Sequence, residues 1–131
     1  MLAKRIIGKI LTNGTLAIQS KAFTRYLPLG KPEIIAEFLD VWGVDEILLI
    51  DRKASVDGGL VSLEMIELIV KNCRAPLTVC GGINTVDAAL RVVKAGADRI
   101  AINSAVLDNP SLVSDLASVL GKQAIVVAID F

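Results

Sequence analysis

Short apolar runs alternate along the chain with segments whose apolar residues recur every three to four positions. Lys4 to Leu11 reads as a first strand, and Thr12-Asn13-Gly14-Thr15 as a turn. Leu16 to Gly30 mixes polar and aromatic residues and is read as a long loop with room for a hairpin. Pro32 suits a helix start, where its missing N–H leaves nothing unpaired. Ile34, Ile35, Phe38, Leu39 and Trp42 follow at helical spacing, which predicts that they are core, and Gly43 ends that helix. Asp45 to Asp51 is a continuous apolar strand closed by a carboxylate, the pattern of a parallel strand covered on both faces. After a loop containing Gly58-Gly59, a helix is predicted over about Val61 to Lys71. Leu77 to Cys80 is a third strand that breaks into Gly81-Gly82 and enters a helix over Thr85 to Ala95, with Asn84 as expected N-cap and Asp87 three residues on. Asp98 to Asn103 is a fourth strand. Asn109 is expected to cap a fourth helix with Pro110 at its first position, and Gly121 to end it. Ala124 to Ile129 is a fifth strand, followed by Asp130.

Strands alternating with helices imply right-handed βαβ units and a parallel α/β sheet. Gly43-Val44-Asp45-Glu46-Ile47 also matches Gly96-Ala97-Asp98-Arg99-Ile100, 53 residues on. Two βα units per period fit a duplicated quarter of a barrel. An open flavodoxin-like sheet is the competing architecture.

Composition narrows the chemistry. The chain has 131 residues, enough for one domain with a core. Its mean hydropathy is high, +0.62, yet it lacks a run of about 18 apolar residues as a membrane span requires. Net charge is zero, which gives no bulk attraction to nucleic acid or anionic lipid. With no histidine, a Ser-His-Asp triad and histidine metal sites are excluded within this chain. Two cysteines, Cys73 and Cys80, make neither a disulfide framework nor a metal site. The opening residues lack the apolar core of a signal peptide, so a reducing cytoplasm is expected.

In either parallel architecture, ligands bind at the C-terminal ends of the strands. Those ends carry Leu11, Asp51, Cys80-Gly81-Gly82, Asn103-Ser104 and Asp130. A Gly-Gly turn between strand and helix can present backbone N–H groups to a phosphate; it is equally a tight turn. Asn103-Ser104 ends the neighbouring strand and could add an amide and a hydroxyl, or serve only as turn chemistry. Asp51 and Asp130 are candidate general acids or bases, and either could instead cap a loop. Cys80 reads as a small buried hydrophobe. At the opposite end, Arg5, Asp45, Glu46, Asp98 and Arg99 could converge on a barrel axis, as a salt-bridged floor or as solvated turns.

As a set, several motifs resemble the cyclase subunit of imidazole glycerol phosphate synthase, HisF. They are Met1-Leu2-Ala3-Lys4-Arg5-Ile6-Ile7, the Gly43 to Asp51 run, Ala54-Ser55, Gly81-Gly82-Ile83 and Gly96-Ala97-Asp98. Ile102-Asn103, Asn109-Pro110-Ser111-Leu112 and Val126-Val127-Ala128-Ile129-Asp130 complete the set. The resemblance implies a (βα)8 TIM barrel, of which residues 1–131 would be the N-terminal half: four βα units plus the fifth strand. It implies ammonia from a HisH-like glutaminase on the N-terminal face, a phosphorylated substrate on the C-terminal face, and no cofactor or metal. By the same resemblance, Gly82, Asn103 and Ser104 would bind a substrate phosphate. Asp130 would be catalytic and Asp51 a supporting carboxylate. Arg5, Glu46 and Arg99 would gate the ammonia channel, Thr78 would line it, and Asp98 would contact the glutaminase.

The chain departs from that pattern twice. Where the family's first strand ends in a catalytic Asp, this chain has Leu11, and a first-loop Lys is Gln19. Leu at the first of these positions, and the first-loop run Phe23 to Pro32, resemble HisF-like proteins found with sugar-amidating enzymes of surface polysaccharide synthesis; Leu11 and Gln19 together fit a non-catalytic barrel that would dock a glutaminase and conduct ammonia. The second departure is length. Half a barrel leaves its inward strand face uncovered, which predicts self-association or a truncated product without turnover.

Overall fold

The sheet is set by which strands find partners. A computed structural model of the chain describes residues 3–22 and 24–130. In chain order these form β1 (Ile7–Asn13), β2 (Leu16–Lys21), β3 (Arg25–Gly30), α1 (Pro32–Val41), β4 (Glu46–Asp51), α2 (Arg52–Asp57) and α3 (Leu63–Asn72). There follow β5 (Leu77–Cys80), α4 (Val86–Lys94), β6 (Arg99–Ile102), α5 (Ser104–Asp108), α6 (Leu112–Leu120), a 3-10 turn (Lys122–Ala124) and β7 (Ile125–Val127). The sheet order is β3-β2-β1-β4-β5-β6-β7. β1, β4, β5, β6 and β7 run parallel, while β2 and β3 join as an antiparallel hairpin.

The parallel strands lie side by side in chain order, so every crossover turns the same way and the main helices share one face. α1 packs on α3, α3 on α4 and α4 on α6. A doubly wound flavodoxin-like sheet would reverse strand order; this one does not. The result is an unclosed (βα) half-barrel, as the 53-residue repeat implies.

Strand alternation sorts the side chains between the two faces. Ile10, Thr12, Ile47, Leu49, Leu77, Val79, Ile100 and Ile102 point to the helices and are buried. Lys9, Leu11, Leu48, Ile50, Cys80, Arg99 and Val126 share the concave face and are half-buried or exposed.

Several boundaries differ from expectation. The first strand runs from Ile7 through Asn13, because Thr12 pairs with both Asp51 and Ala17; the turn shrinks to Gly14-Thr15. The open reading of residues 16–30 resolves as a hairpin with a register shift at Ala17/Ile18. α2 and α5 are short helices where loops were expected. Thr85, not Asn84, caps α4 by accepting the Ala88 N–H. α6 starts at Leu112 rather than Pro110, because Asn109 accepts the Ser111 hydroxyl instead of helix N–H groups. The last strand spans only Ile125–Val127. Trp42 is 77% exposed and Phe38 and Ile34 are also exposed, against the expectation of core. α1 seats on the sheet through buried Ala36, with Ile35 and Leu39 packed beside it, so Ile34, Phe38 and Trp42 fall on an uncovered flank.

The repeat has a structural meaning. Asp45 donates its N–H to the Ile6 carbonyl (2.8 Å), and its side chain accepts the Ile6 N–H (2.6 Å). Asp98 does the same with Leu77: N–H to carbonyl at 2.9 Å, carboxylate to N–H at 2.8 Å. Each aspartate therefore fixes the start of its own strand against the start of the parallel strand beside it. Asp98→Ala would strand the N–H of buried Leu77 and should cost about 1–3 kcal/mol, read as a lower urea midpoint. Asp98→Asn, which keeps an acceptor, should lose less.

Candidate functional site

The rim at the C-terminal ends of β5 and β6 holds a pocket whose floor is backbone. After Cys80 the chain turns through Gly81 and Gly82, both in positive φ (+150° and +67°). Gly82 is obligatory for a second reason: a Cβ there would overlap the Gly59 carbonyl oxygen. The Val61 N–H also donates to the Gly81 carbonyl at 3.2 Å, so the Gly58-Gly59 loop is locked against the Gly81-Gly82 turn. The pocket brings Gly82, Asn103 and Ser104 together, as expected, and adds Ser55, Gly58 and Asp108. Those last three escaped the sequence reading because they come from α2, its exit and the end of α5. The pocket has no lysine or arginine in its lining. An anion there would be held by N–H groups and hydroxyls, with Asp108 opposing it.

Asp130 is joined to this pocket. The Asn103 side-chain amide donates to its carboxylate at 2.8 Å. That contact occupies the Asn103 side chain, which gives α5 no cap, and holds the Asp130 carboxylate at the pocket's edge. Burial pushes the Cys80 thiol above its ordinary value of 9.0, and the Asp130 charge pushes it further. A thiol held protonated is a poor nucleophile, which agrees with reading Cys80 as a packing residue.

Asp51 sits elsewhere. It shares the face of Ile47 and Leu49, is buried, and does not line the pocket. One of its oxygens accepts the N–H groups of Gly14 and Lys53, both at 3.1 Å. It thus caps α2 and ties down the turn of the β1–β2 hairpin, the loop-capping alternative left open by the sequence. A Cβ on Gly81 would lie 3.0 Å from the Asp51 Cβ and 3.1 Å from its carbonyl oxygen, so the Asp51 backbone and Cβ back the rim.

At the other end of the sheet, the buried Glu46 carboxylate gathers three donors. Arg5 approaches at 2.7 Å and Arg99 at 3.0 Å, and the Thr78 hydroxyl donates to the remaining oxygen. Of the charged residues expected to converge there, Arg5, Glu46 and Arg99 do, while Asp45 and Asp98 turn to the backbone. Two guanidiniums share one carboxylate, so the cluster carries one surplus positive charge. Leu11 and Gln19 meet on the concave side of the hairpin, away from the rim pocket.

An unclosed parallel half-barrel, with a glycine-floored pocket at its C-terminal rim and a charged cluster at its base, defines the class. The chain belongs to the histidine biosynthesis protein family, whose profile matches residues 6–131. It is 40% identical over 130 residues to an imidazole glycerol phosphate synthase subunit designated hisF2 in Vibrio vulnificus, covering 99% of this chain and 48% of that protein. It is 41% identical to the HisF subunit of Natranaerobius thermophilus over 99% of this chain and 52% of the relative. For the HisF subunit of Exiguobacterium sibiricum the figures are 37%, 99% and 52%. The chain thus spans about half the length of these relatives. Among the described residues, no helix is long and apolar enough to cross a membrane.

The two glycine environments separate experimentally. Gly82→Ala must displace the Gly59 loop and should cost several kcal/mol, well above the roughly 1–2 kcal/mol of a left-handed residue alone. Gly58→Ala, with open space around it and φ +70°, should cost only that smaller amount. Chemical denaturation of both variants reads the difference, and equal losses would show that the Gly59 contact yields freely.

Proposed function

We propose that this chain is the N-terminal half of a HisF-type barrel. In this reading it serves as a cyclase subunit of imidazole glycerol phosphate synthase type and uses ammonia from a HisH-like glutaminase on a phosphorylated substrate. The observation that carries the reading is the rim pocket, where Gly82, Asn103 and Ser104 meet and Asn103 hydrogen-bonds Asp130. N–H groups of the Gly82 turn and the start of α5, with the Ser104 hydroxyl, suit a phosphate group. Asp130, hydrogen-bonded to Asn103 beside it, would exchange a proton with the bound substrate. Asp51 supports the site indirectly, by fixing the loops behind Gly81. At the base, Glu46 holds Arg5, Arg99 and Thr78 across the path that ammonia would take, and Asp98 lies on the glutaminase side. The setting is cytoplasmic.

One observation favours a second reading. Leu11 occupies the concave face at the mouth of β1, where the family resemblance implies a catalytic carboxylate. An aliphatic side chain cannot move a proton. A non-catalytic HisF-like paralogue would keep the rim and the base, dock and stimulate a glutaminase, and pass ammonia to a sugar amidotransferase. Incubating the chain with a glutaminase subunit and the imidazole precursor separates the two. Imidazole glycerol phosphate above background supports the cyclase and sinks the paralogue. Stimulated glutamine hydrolysis without that product does the reverse. Phosphate protection of the rim amides from exchange, lost in Ser104→Ala, tests the pocket independently of turnover.

The open sheet bears on partners. Among the described residues, β7 pairs with β6 alone, and the concave face exposes apolar side chains. Burying such a face is favourable by about 25 cal/mol per Å² of apolar surface. Association of the chain with itself should appear as concentration-dependent elution in gel filtration; a compact monomer at all concentrations would count against it.

A further inference from the structure

One group in the rim pocket is not explained by phosphate binding alone. Asp108 is the last residue of α5 and lines the pocket with Gly82, Asn103 and Ser104. Among the described residues its carboxylate forms no hydrogen bond or ion pair. It does not serve its helix either, because the carbonyl end of a helix favours cations over acids. No lysine or arginine in the lining offsets its charge. The elements around the pocket do not supply a cation. On α2, Arg52 lies over the Tyr26 ring and Lys53 beside Gly14, both on the hairpin side, and the helix ends in Asp57. α4 opens with Asp87 and keeps Arg91 and Lys94 for its far end, and α6 opens with Asp115. On the sheet side, Asp51 is held by Gly14 and Lys53, Asp130 accepts from Asn103, and burial pushes the Cys80 thiol up.

A doubly charged phosphate in this pocket would face a carboxylate with only N–H and hydroxyl dipoles to hold it. A phosphate that keeps one proton removes the conflict. Its charge falls by one, and its O–H donates to the carboxylate, a short and strong kind of hydrogen bond. Its other oxygens remain free to accept from the Gly82 turn and the Ser104 hydroxyl. We infer that Asp108 makes the rim pocket selective for the singly charged, protonated form of a phosphate monoester, by accepting its O–H, and that the pocket rejects sulfate esters, which have no proton to donate. This inference rests on the reading of the pocket as a phosphate site. It adds the residue that sets the proton state of the bound ester and the class of anion that residue excludes.

The test uses amide correlation spectra of the full chain titrated with methyl phosphate and with methyl sulfate. At about pH 5.5 both esters are mainly monoanions of the same shape, because a phosphate monoester loses its second proton near about pH 6; only the phosphate carries an O–H. Methyl phosphate should shift the amides of Gly82, Asn103, Ser104 and Asp108. It should bind at least about tenfold more tightly than methyl sulfate, the worth of one hydrogen bond to a charged group. At about pH 7.5 the phosphate ester is a dianion and should bind about tenfold more weakly than at the lower pH, while methyl sulfate is unchanged. Asp108→Asn offers a donor in place of the acceptor. It should bring the two esters within about threefold of each other and abolish the weakening at high pH. Rim shifts with equal affinity for both esters would overturn the role of Asp108 and leave the phosphate site standing. So would a phosphate preference that survives Asp108→Asn, or a pH effect shared by methyl sulfate, which would belong to protein groups such as Asp130. The absence of rim shifts with either ester, in a chain whose spectrum shows it folded, would overturn both the role and the site.

Discussion

A parallel sheet covered on one side only is the constraint behind the rest of this structure. Each crossover returns the chain on the same side, so the helices bury one set of alternating residues and leave the other set open. Ile47 and Leu49 are fully buried while Leu48 and Ile50, which alternate with them, are not. Polar groups on the concave face must then find partners without helices to supply them. Glu46 and Thr78 do so with each other and with two arginines. Asp130 does so with Asn103. Lys9 does not.

The two ends of the sheet solve the same problem with different materials. At the base, side chains carry the charge: one buried carboxylate is compensated by two guanidiniums and a hydroxyl, and removing it would leave two cations facing each other. At the rim, backbone carries the site. Gly81 and Gly82 approach their neighbours so closely that side chains there are excluded, which leaves N–H groups as the reachable donors. Asp51 links the rim to the hairpin by holding Gly14 and Lys53 at once. A change in the hairpin turn thus reaches the glycine floor through one residue, whose carboxylate holds the turn and whose Cβ and backbone face Gly81.

What the sequence made legible follows from where local pattern decides the outcome. Continuous apolar runs bounded by Gly or Asp located the parallel strands, and the Gly43/Gly96 repeat located the matched strand starts. The hairpin was left open because Pro28, aromatic Tyr26 and the bulge at Ala17/Ile18 blur strand alternation. α2 has no apolar period of its own; it exists because Asp51 caps it. Trp42 was misplaced because spacing tells which flank of a helix is apolar and not whether anything covers that flank. Counting back by twos puts Asp51 on the face of Leu49 and Ile47, opposite Glu46, but the continuous apolar run does not say which of the two faces the helices cover. The same count puts Lys9 beside Leu11.

Counting by twos also orders the concave face into a column. Arg99, Thr78, Leu48 and Lys9 lie in one register row across the strands, and Ala101, Cys80, Ile50 and Leu11 in the next toward the rim. The first row is largely polar and the second is apolar throughout. Asn103 and Asp130 lie beyond it. A polar solute moving from base to rim would leave hydrogen-bonding groups, cross an aliphatic band and meet them again. In a barrel closed over this face, such a band would favour a small neutral species over a charged one, because desolvating an ion costs far more than desolvating a neutral molecule. Leu11 completes the band on β1, and an ionised carboxylate at that position would breach it. Replacing Leu11 therefore alters two things together, the proton chemistry available at the mouth and the polarity of the step below it.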